Sequence, residues 1–455
     1  MSYKLSIVKN KMMKRIINIL ILLCCIASLS SCGNSTEERS RVLKIYNWAD
    51  YIDEDVLAEF PDWYKQQTGE DLRIIYQVFD INEIMLTKIE RGHEDFDVVC
   101  PSEYIIERML RKDLLLPIDR NFGRTPDYIP NVSPYIRHEL NKTSQPERQT
   151  EDYAVPYMWG TAGILFNKKF ITPEEASTWN ILWTPKNRSK ILMKDSYRDA
   201  YGTAIIYAHA RELADSTVTV EQLMNDNSPQ AIALAEKYLK EMKPNITGWE
   251  ADFGKEMMTK NKAWINFTWS GDAVWAIEEA DAVGVELDYT VPREGSNIWY
   301  DGWVIPKYAG NPKAAAYFIN YLCRPDIALR NMDAIGYVSA VATPEIMEAK
   351  RDTAIATRSD LSYFFGEGVG ADSLQINPVQ YPDRKVVERC AMIRDFGNRT
   401  ELVLEMWSRV KGDNLNTGIV LLIFSVFGVL FVWLVYGKIR KYRQKQRRHR
   451  RRRRR

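Results

Sequence analysis

Strand-like and helix-like segments alternate along the sequence from residue 42 onward, and this alternation limits the chain to few folds. Runs rich in β-branched and aromatic residues occupy 42–48, 72–79 and 96–100, and segments of helical period occupy 53–68, 82–91 and 104–112. Pro61 is expected to interrupt the first of these helices. Strands that alternate with helices form parallel βαβ units, so the sequence predicts an α/β fold.

A second set of alternating segments follows, which indicates a second lobe. Its members are strands over 153–157, 163–167 and 263–269, a helix over 229–242, and a helical stretch over 311–335 that Pro325 breaks or kinks. About 370 residues of this pattern exceed what one hydrophobic core usually supports. We therefore expect two α/β lobes.

The N-terminal residues have the order of an export signal. A basic cluster precedes an apolar run over 16–26, which is too short for a typical bilayer span. The segment LSSC at 29–32 resembles the lipobox of bacterial lipoproteins; the alternative is an ordinary signal peptide with an incidental cysteine. We expect 1–32 to be a lipoprotein signal peptide with Cys32 as the lipidation site, followed by a linker over 33–41.

Near the C-terminus, residues 418–437 form a run of twenty residues without a charge. At about 1.5 Å rise per residue, a helix of this length matches the hydrocarbon thickness of a bilayer. We expect a transmembrane helix there, followed by a basic cytoplasmic tail over 438–455, because positive charge beside a span stays in the cytoplasm. The rest of the chain would then lie in the periplasm, attached to the bacterial inner membrane.

The charge distribution separates the two ends from the rest of the chain. The whole chain has 62 Lys and Arg residues and 60 Asp and Glu residues. Residues 1–32 and 438–455 together contain 18 basic residues and no acid, so residues 33–437 have 44 basic against 60 acidic residues, a net charge of −16. We attribute the basic tail to membrane topology and expect no nucleic-acid binding, because no aromatic residues are interleaved with the arginines of 450–455.

The sequence contains no motif for catalysis, metal binding or cofactor binding. A phosphate-cradling glycine loop, a nucleophile elbow and an HExxH segment are all missing. Outside the leader, the cysteines are an odd number without paired spacing: Cys100, Cys323 and Cys390. We therefore expect no cofactor, no metal and no catalytic residue.

Aromatic residues meet carboxylates in three short segments at predicted strand ends. These segments are WADY at 48–51, WSGD at 269–272 and WYD at 299–301. Ligands of open α/β sheets sit outside the carboxyl ends of strands, ring faces attract cations, and carboxylates hold ammonium groups. Any single cluster is also explained by packing, or by Asp272 capping a helix over 273–279. Three clusters of the same composition favour a binding site for an extended cation.

Several segments together resemble the spermidine- and putrescine-binding proteins of ABC importers, which are members of the periplasmic solute-binding family. The segments are YNWADYI (46–52), FDVVCPSEY (96–104), VPYMWGTAGI (155–164), WSGDAVW (269–275), VPREGSNIWYDGWVIP (291–306) and IGYVSA (335–340). The resemblance implies a two-lobed periplasmic-binding-protein fold of type II, with hinge crossings near 153–156 and 300–306. The first lobe would comprise 42–154 and 303–345, and the second 155–302 and 346–412.

The resemblance also implies roles for individual residues. Five rings would wall the methylene chain of the ligand: Trp48, Tyr51, Trp269, Trp299 and Tyr337. Asp301 would hold one ammonium group, with Ser102 and Tyr104 nearby, and Asp199 would serve the opposite end. Asp50 and Asp272 match acids of putrescine-binding members.

Two positions depart from the pattern of the spermidine-binding members, and they bear on the choice of ligand. Ser196 stands where spermidine-binding members carry an additional acid, and Ile393 stands where they carry a glutamine. These losses and Asp272 favour a diamine, whereas the segment 335–340 is closer to the spermidine type. The choice between putrescine and spermidine stays open, with a slight preference for putrescine.

The leading functional hypothesis is an extracytoplasmic polyamine-binding protein that delivers its ligand to the permease subunits of an ABC transporter, without catalysis. One alternative is a membrane-tethered amine sensor, which the predicted span supports. Another is a carbohydrate-active enzyme such as a glycosidase, which requires an acid pair flanking one bond. A metal-binding relative with tyrosine ligands is a weaker alternative.

Overall fold

The computed structural model describes residues 39–251, 253–412, 425–428, 433 and 436. Within these residues, twelve strands form one sheet system. The strands are β1 (Val42–Trp48), β2 (Arg73–Phe79), β3 (Val98–Val99), β4 (Leu115–Leu116), β5 (Ala154–Asn167), β6 (Ile191–Lys194), β7 (Ile246–Glu250), β8 (Ile265–Trp269), β9 (Leu287–Thr290), β10 (Ser296–Pro306), β11 (Val338–Ser339) and β12 (Cys390–Ala391).

The α-helices of the described residues lie between and after these strands. They are Glu54–Thr68, Asn82–Glu90, Glu103–Arg111, Pro134–Asn141, Pro173–Ala176, Asn180–Trp183, Tyr197–Ala208, Ala210–Ala214, Val220–Asn225, Pro229–Met242, Gly254–Thr259, Ser270–Ala282, Pro312–Leu322, Pro325–Ile335, Pro344–Ala349, Ser362–Phe365, Arg384–Val387 and Thr400–Gly412. The predicted α/β class is confirmed by this alternation.

Two long strands connect the two halves of the sheet, whose order is β2-β1-β3-β10-β5-β8-β6-β7. All residues of β5 and β10 are buried, and the two strands pair antiparallel from Ile298 opposite Thr161 to Val304 opposite Ala154. At one end β10 pairs with β3, and at its far end β5 pairs with β8 and β9. The predicted hinge crossings therefore fall on β5 and β10. The side chains in the middle of these two strands face the region between the lobes.

Separate hydrophobic cores fill the two lobes, as the sequence predicts. The first core packs around β1, β3 and the helix Pro312–Leu322. The second packs around β6, β8 and the helix Pro229–Met242. The sequence assigns the segment 346–412 wholly to the second lobe, but the packing divides it between the two. Buried side chains from Ile346 to Met392 belong mainly to the first core, and those from Ile393 to Val410 belong to the second.

The helix Glu54–Thr68 runs through Pro61 without interruption, so the predicted break there is wrong. Asp53 caps the N-terminus, where its carboxylate accepts a hydrogen bond from the backbone N–H of Asp55 at 2.8 Å. Val56, Phe60 and Tyr64 recur every four residues and are all buried, so one continuous face packs on the core. This packing holds the helix together despite the proline, which costs about 3 kcal/mol in a helix interior. By contrast, Pro325 begins a new helix, as predicted.

The predicted transmembrane helix over 418–437 requires correction. No helix among the described residues is both long and apolar enough to cross a membrane. A bilayer span needs about 20 consecutive apolar helical residues, whereas the described part of this range is a helical stretch over 425–428 and two further helical residues, Trp433 and Tyr436. The rest of 418–437 and the tail 438–455 lie outside the described residues.

The predicted signal peptide and the lipidation site Cys32 also lie outside the described residues, which begin with Arg39. The end of the predicted linker is already attached to the first lobe. The Arg39 guanidinium contacts the carboxylates of Asp95 at 2.7 Å and Asp97 at 2.9 Å.

Candidate ligand-binding site

Strand β10 places three polar and aromatic side chains on one face, between the lobes. Asn297, Trp299 and Asp301 alternate along the strand, so they point in the same direction, and all three are buried. Gly160 lies opposite Trp299 on β5. A Cβ atom at residue 160 would lie 2.7 Å from the Trp299 ring, so the indole occupies space that only a glycine leaves open.

Asp301 forms one end of the site, and one of its carboxylate oxygens is buried without a partner. The Tyr51 hydroxyl donates to Asp301 Oδ2 at 2.8 Å, and Ser102 lies beside Asp301 in an isolated antiparallel bridge. Oδ1 accepts no hydrogen bond from the described residues. Burial raises the pKa of Asp301 to about 6, although the hydroxyls of Ser102 and Tyr51 oppose the shift. An ammonium group at Oδ1 would satisfy this oxygen.

Aromatic rings connect Asp301 to the interior of the site. The ring of Tyr337 packs edge-to-face against Tyr51 at 5.3 Å and against Trp299 at 5.5 Å between centroids. Trp48, at the end of β1, packs against Phe79 with the rings tilted and their centroids 4.5 Å apart. The indole N–H groups of Trp48 and Trp299 are buried without a hydrogen-bond partner among the described residues. These rings form an apolar wall of the kind that suits a methylene chain.

Asp272 forms part of the opposite end, where an internal cation already neutralises it. It lies within the helix Ser270–Ala282 and does not cap it. Lys194 Nζ contacts Asp272 Oδ2 at 2.7 Å, and the Tyr337 hydroxyl donates to Asp272 Oδ1 at 3.0 Å. Burial acts to raise the pKa of Asp272, but Lys194 and Lys255 outweigh it, and the pKa is lowered.

Asp199 lies beside this end and is held by two neutral donors. The Asn297 amide donates to Asp199 Oδ1 at 3.0 Å, and the Trp269 indole N–H donates to Oδ2 at 3.3 Å. Asp199 is buried, and burial raises its pKa. Each of its oxygens can still accept a further hydrogen bond from a ligand.

Tyr104, Ser102 and Asp50 are placed differently from the other predicted residues. The Arg198 guanidinium lies 4.0 Å over the Tyr104 ring, so an internal cation covers that face. The Asn82 amide donates to the hydroxyls of both Ser102 and Tyr104, at 3.0 and 3.1 Å. Asp50 is exposed, at a positive φ of 50°, whereas Asp301 is buried.

Contacts between the lobes flank the site and were not predicted from the sequence. Arg394 pairs with Glu107 at 2.8 Å, and Asp395 pairs with Arg108 at 2.6 Å. The Tyr197 hydroxyl donates to Glu83 at 2.8 Å. These contacts join helices of the first lobe to the second lobe, and Ser102 and Asp301 pair in an isolated bridge.

The sequence reasoning also missed Lys194, Asn297 and Glu250. Lys194 ends a strand whose four residues are all buried, and a lysine in such a run has to be paired because lysine is almost never fully buried otherwise. The burial is a structural observation, and the sequence itself shows only a lysine after three apolar residues. Asn297 was detectable as the residue two positions before Trp299 on the same strand face.

Comparisons with known proteins identify a family and several relatives. A model of the family of bacterial extracellular solute-binding proteins matches residues 62–357. The spermidine/putrescine-binding periplasmic protein of Salmonella typhimurium is 28% identical over 374 residues, which cover 81% of this chain and 91% of the relative. The putrescine-binding periplasmic protein PotF of Escherichia coli is 29% identical over 324 residues, which cover 69% of this chain and 82% of the relative.

Solved structures show the same fold. The putative spermidine/putrescine ABC transporter structure from Listeria monocytogenes superposes with a TM-score of 0.64 at 28% identity, over 82% of this chain and 99% of the other. The TpPotD lipoprotein structure of Treponema pallidum superposes with a TM-score of 0.62 at 23% identity, over 81% of this chain and 99% of the other.

Proposed function

The chain belongs to the family of bacterial extracellular solute-binding proteins, and we propose that it binds a short aliphatic polyamine and delivers it to the permease subunits of an ABC transporter. The relatives named as spermidine- or putrescine-binding periplasmic proteins support this ligand class. They support the importer role as well, because the matching Listeria monocytogenes structure is named as an ABC transporter.

The observation that carries the proposal is the free oxygen of Asp301. A buried carboxylate is costly unless it is paired, and Oδ1 has no partner among the described residues. The Tyr51 hydroxyl donates to the other oxygen of Asp301, and the rings of Tyr51, Tyr337 and Trp299 pack in series beside it. A cation with an apolar chain satisfies both features, because its ammonium pairs with the carboxylate and its methylenes lie against the rings.

Two buried carboxylates that can each accept a ligand ammonium support a diamine. Oδ1 of Asp301 has no partner among the described residues, and Asp199 is held by the neutral donors Asn297 and Trp269. Asn297 and Asp301 lie on the same face of β10, so both carboxylates border the same region between the lobes. A diamine can pair one ammonium with each of them.

The other predicted site residues have different roles in this proposal. Trp48, Tyr51, Trp299 and Tyr337 line the methylene chain, and Trp269 positions Asp199. Ser102 lies beside Asp301, and Asn82 fixes the hydroxyls of Ser102 and Tyr104 on the first lobe. Asp50 attracts the cation from the surface, where long-range charge acts on the association rate.

We place the binding protein outside the cytoplasm, in the periplasm, with a lipid on Cys32 as its membrane attachment. The lipobox-like order of residues before Cys32 supports this part. Mass spectrometry of the mature N-terminus tests it: a diacylated Cys32 is the expected result, and an unmodified N-terminus beyond residue 32 contradicts it.

A thermal-shift panel on the purified protein tests the proposed function. Putrescine, cadaverine and spermidine are compared with amino acids, sugars and ferric ion. A diamine at 100 times its Kd adds about 2.7 kcal/mol, which raises Tm by roughly 3–6 °C for a protein of this size. Stabilisation by a sugar or ferric ion and not by amines would contradict the proposal.

A further inference from the structure

Lys194 is a fully buried lysine whose ammonium group has three protein partners. Its side chain is 1% exposed. Nζ lies 2.7 Å from Asp272 Oδ2, 3.2 Å from Glu250 Oε1 and 2.8 Å from the backbone oxygen of Ala251. An ammonium group has three N–H donors, so all of them have an acceptor and none is left for a ligand anion.

The Lys194 ammonium sits at the inner end of the aromatic site. Nζ lies 4.6 Å over the Trp269 ring, and the indole N–H of the same residue holds Asp199. Lys194 also shares Asp272 with the Tyr337 hydroxyl, and the Tyr337 ring contacts Tyr51 and Trp299. A continuous set of contacts therefore leads from Asp301 through the rings to Lys194.

Both partners of the central ion pair are in their charged forms. Burial acts to lower the pKa of Lys194, but the carboxylates of Asp272 and Glu250 outweigh it, and the pKa is raised. The pKa of Asp272 is lowered at the same time. Glu250 is further fixed by the Gly254 N–H at 3.0 Å and by the Asn266 amide at 3.2 Å. The arrangement is a built cation site, with carboxylates on one side and an indole face on the other.

We propose that Lys194 is a specificity-determining residue, whose ammonium group fills the cation site between Asp272 and Trp269 and restricts the ligand to diamines over triamines. This inference rests on the proposed function. A diamine places its two charges at Asp301 and Asp199. A triamine such as spermidine has to place its additional ammonium toward Lys194, where it meets a like charge and a carboxylate that is already neutralised.

Isothermal titration calorimetry with putrescine and spermidine tests the inference on four forms of the protein. They are the wild type, Lys194→Met, the double variant Lys194→Met/Asp272→Asn, and Lys313→Met as the matched control. Lys313 contacts Glu70 at the same 2.7 Å, but its side chain is half exposed and lies on the first lobe away from the site. The control therefore removes an ammonium group without changing the site.

The wild type is expected to bind putrescine at least 30-fold more tightly than spermidine. In Lys194→Met, Asp272 keeps Lys255 beside Oδ1 at 3.6 Å but loses the nearer ammonium at Oδ2. The additional ammonium of spermidine can then approach Oδ2, so we expect the preference to shrink at least tenfold. Neutralising Asp272 in the double variant removes that new partner, and we expect the gain in spermidine affinity to be lost. The control is expected to keep the wild-type ratio.

Each contrary result has a distinct meaning. Wild-type protein that binds both amines within threefold of each other, or Lys194→Met with an unchanged ratio, overturns the inference and leaves the proposed function standing. Wild-type protein that binds no amine overturns the proposed function and the inference with it. If Lys194→Met does not fold, Lys194→Gln takes its place, because the glutamine amide keeps two N–H donors. The ratio of putrescine to spermidine affinity in the wild type tests the inference in either case.

Discussion

Asp301 and Asp272 lie at opposite ends of the same aromatic site and are almost equally buried, at 6% and 7% exposed. The pKa values of these two carboxyl groups are nevertheless shifted in opposite directions. Burial raises the pKa of Asp301 to about 6, and its Oδ1 has no partner among the described residues. The pKa of Asp272 is lowered despite burial, because Lys194 and Lys255 lie beside it.

The difference shows that residue type and burial alone do not identify a ligand-binding carboxylate. Both aspartates follow a tryptophan in the sequence within three residues, and both receive a tyrosine hydroxyl, from Tyr51 and from Tyr337. The deciding factor is whether the protein supplies its own cation. At Asp272 it does, through Lys194; at Asp301 the described residues supply only neutral donors.

The largest expected effect is on amine affinity. Asp301→Asn leaves a buried ammonium of the ligand unpaired, which costs about 3–5 kcal/mol, a loss of roughly 100- to 4,000-fold in Kd. Asp272→Asn is expected to weaken putrescine binding less than tenfold, because Lys194 rather than the ligand uses that carboxylate. Calorimetric titration of both variants checks the contrast, and equal losses would remove the distinction between the two ends.

The two substitutions are expected to change the stability of the ligand-free protein in opposite directions. Asp272→Asn leaves the buried Lys194 with Glu250 as its one carboxylate partner and is expected to lower the free energy of unfolding by about 3 kcal/mol. Asp301→Asn removes a carboxylate whose charge is costly to bury, so we expect a gain of about 2 kcal/mol at pH 7. Denaturant unfolding without ligand measures both. Loss of stability in Asp301→Asn would mean that its carboxylate is already paired.

Much of the fold could be predicted from the sequence, because period and composition report local structure. β1 and β8 end at Trp48 and Trp269, where the aromatic–carboxylate segments were expected. Trp299 and Asp301 were also expected at a strand end, but they lie in the middle of β10. The reason is that β10 passes from one lobe to the other, so its middle, and not its end, faces the space between them.

The candidate site could be predicted only in part. The resemblance supplied the aromatic residues and the acids, but it gave no reason to examine Lys194, whose position at the end of a short strand looks like that of a surface residue. Its partners Asp272 and Glu250 are 78 and 56 residues away in sequence. Ion pairs between such distant residues depend on how the strands and helices pack, and no local pattern records them.

The pH dependence of binding is expected to follow Asp301 and not Asp272. A ligand ammonium requires the ionised carboxylate, and the raised pKa means that ligand-free Asp301 takes up a proton as the pH falls through about 6. Affinity should therefore be constant above pH 7 and fall up to tenfold per pH unit below 6. Asp272 has its pKa lowered and stays ionised over this range.

Titrations in buffers of different ionisation enthalpy measure the protons released on binding. A fraction of a proton near pH 6, and none at pH 8, is the expected result. Asp301→Asn provides the control and should release no protons on binding at either pH. Affinity that is flat from pH 8 to pH 5 in the wild type would contradict the assignment of Asp301.

The smallest expected effect comes from Tyr337→Phe. The variant keeps the ring that contacts Tyr51 and Trp299 but loses the hydroxyl that donates to Asp272 at 3.0 Å. Because Lys194 still pairs with Asp272, we expect a stability loss of about 1 kcal/mol and less than a threefold change in putrescine Kd. A larger loss of affinity would indicate that the hydroxyl contacts the ligand.

A crystal structure of the complex with putrescine tests the central comparison most directly. The expected result is one ammonium group within hydrogen-bond distance of Asp301 Oδ1, the second at Asp199, and Lys194 still paired with Asp272. An ammonium of putrescine bound to Asp272, with Lys194 displaced from that carboxylate, would contradict the account.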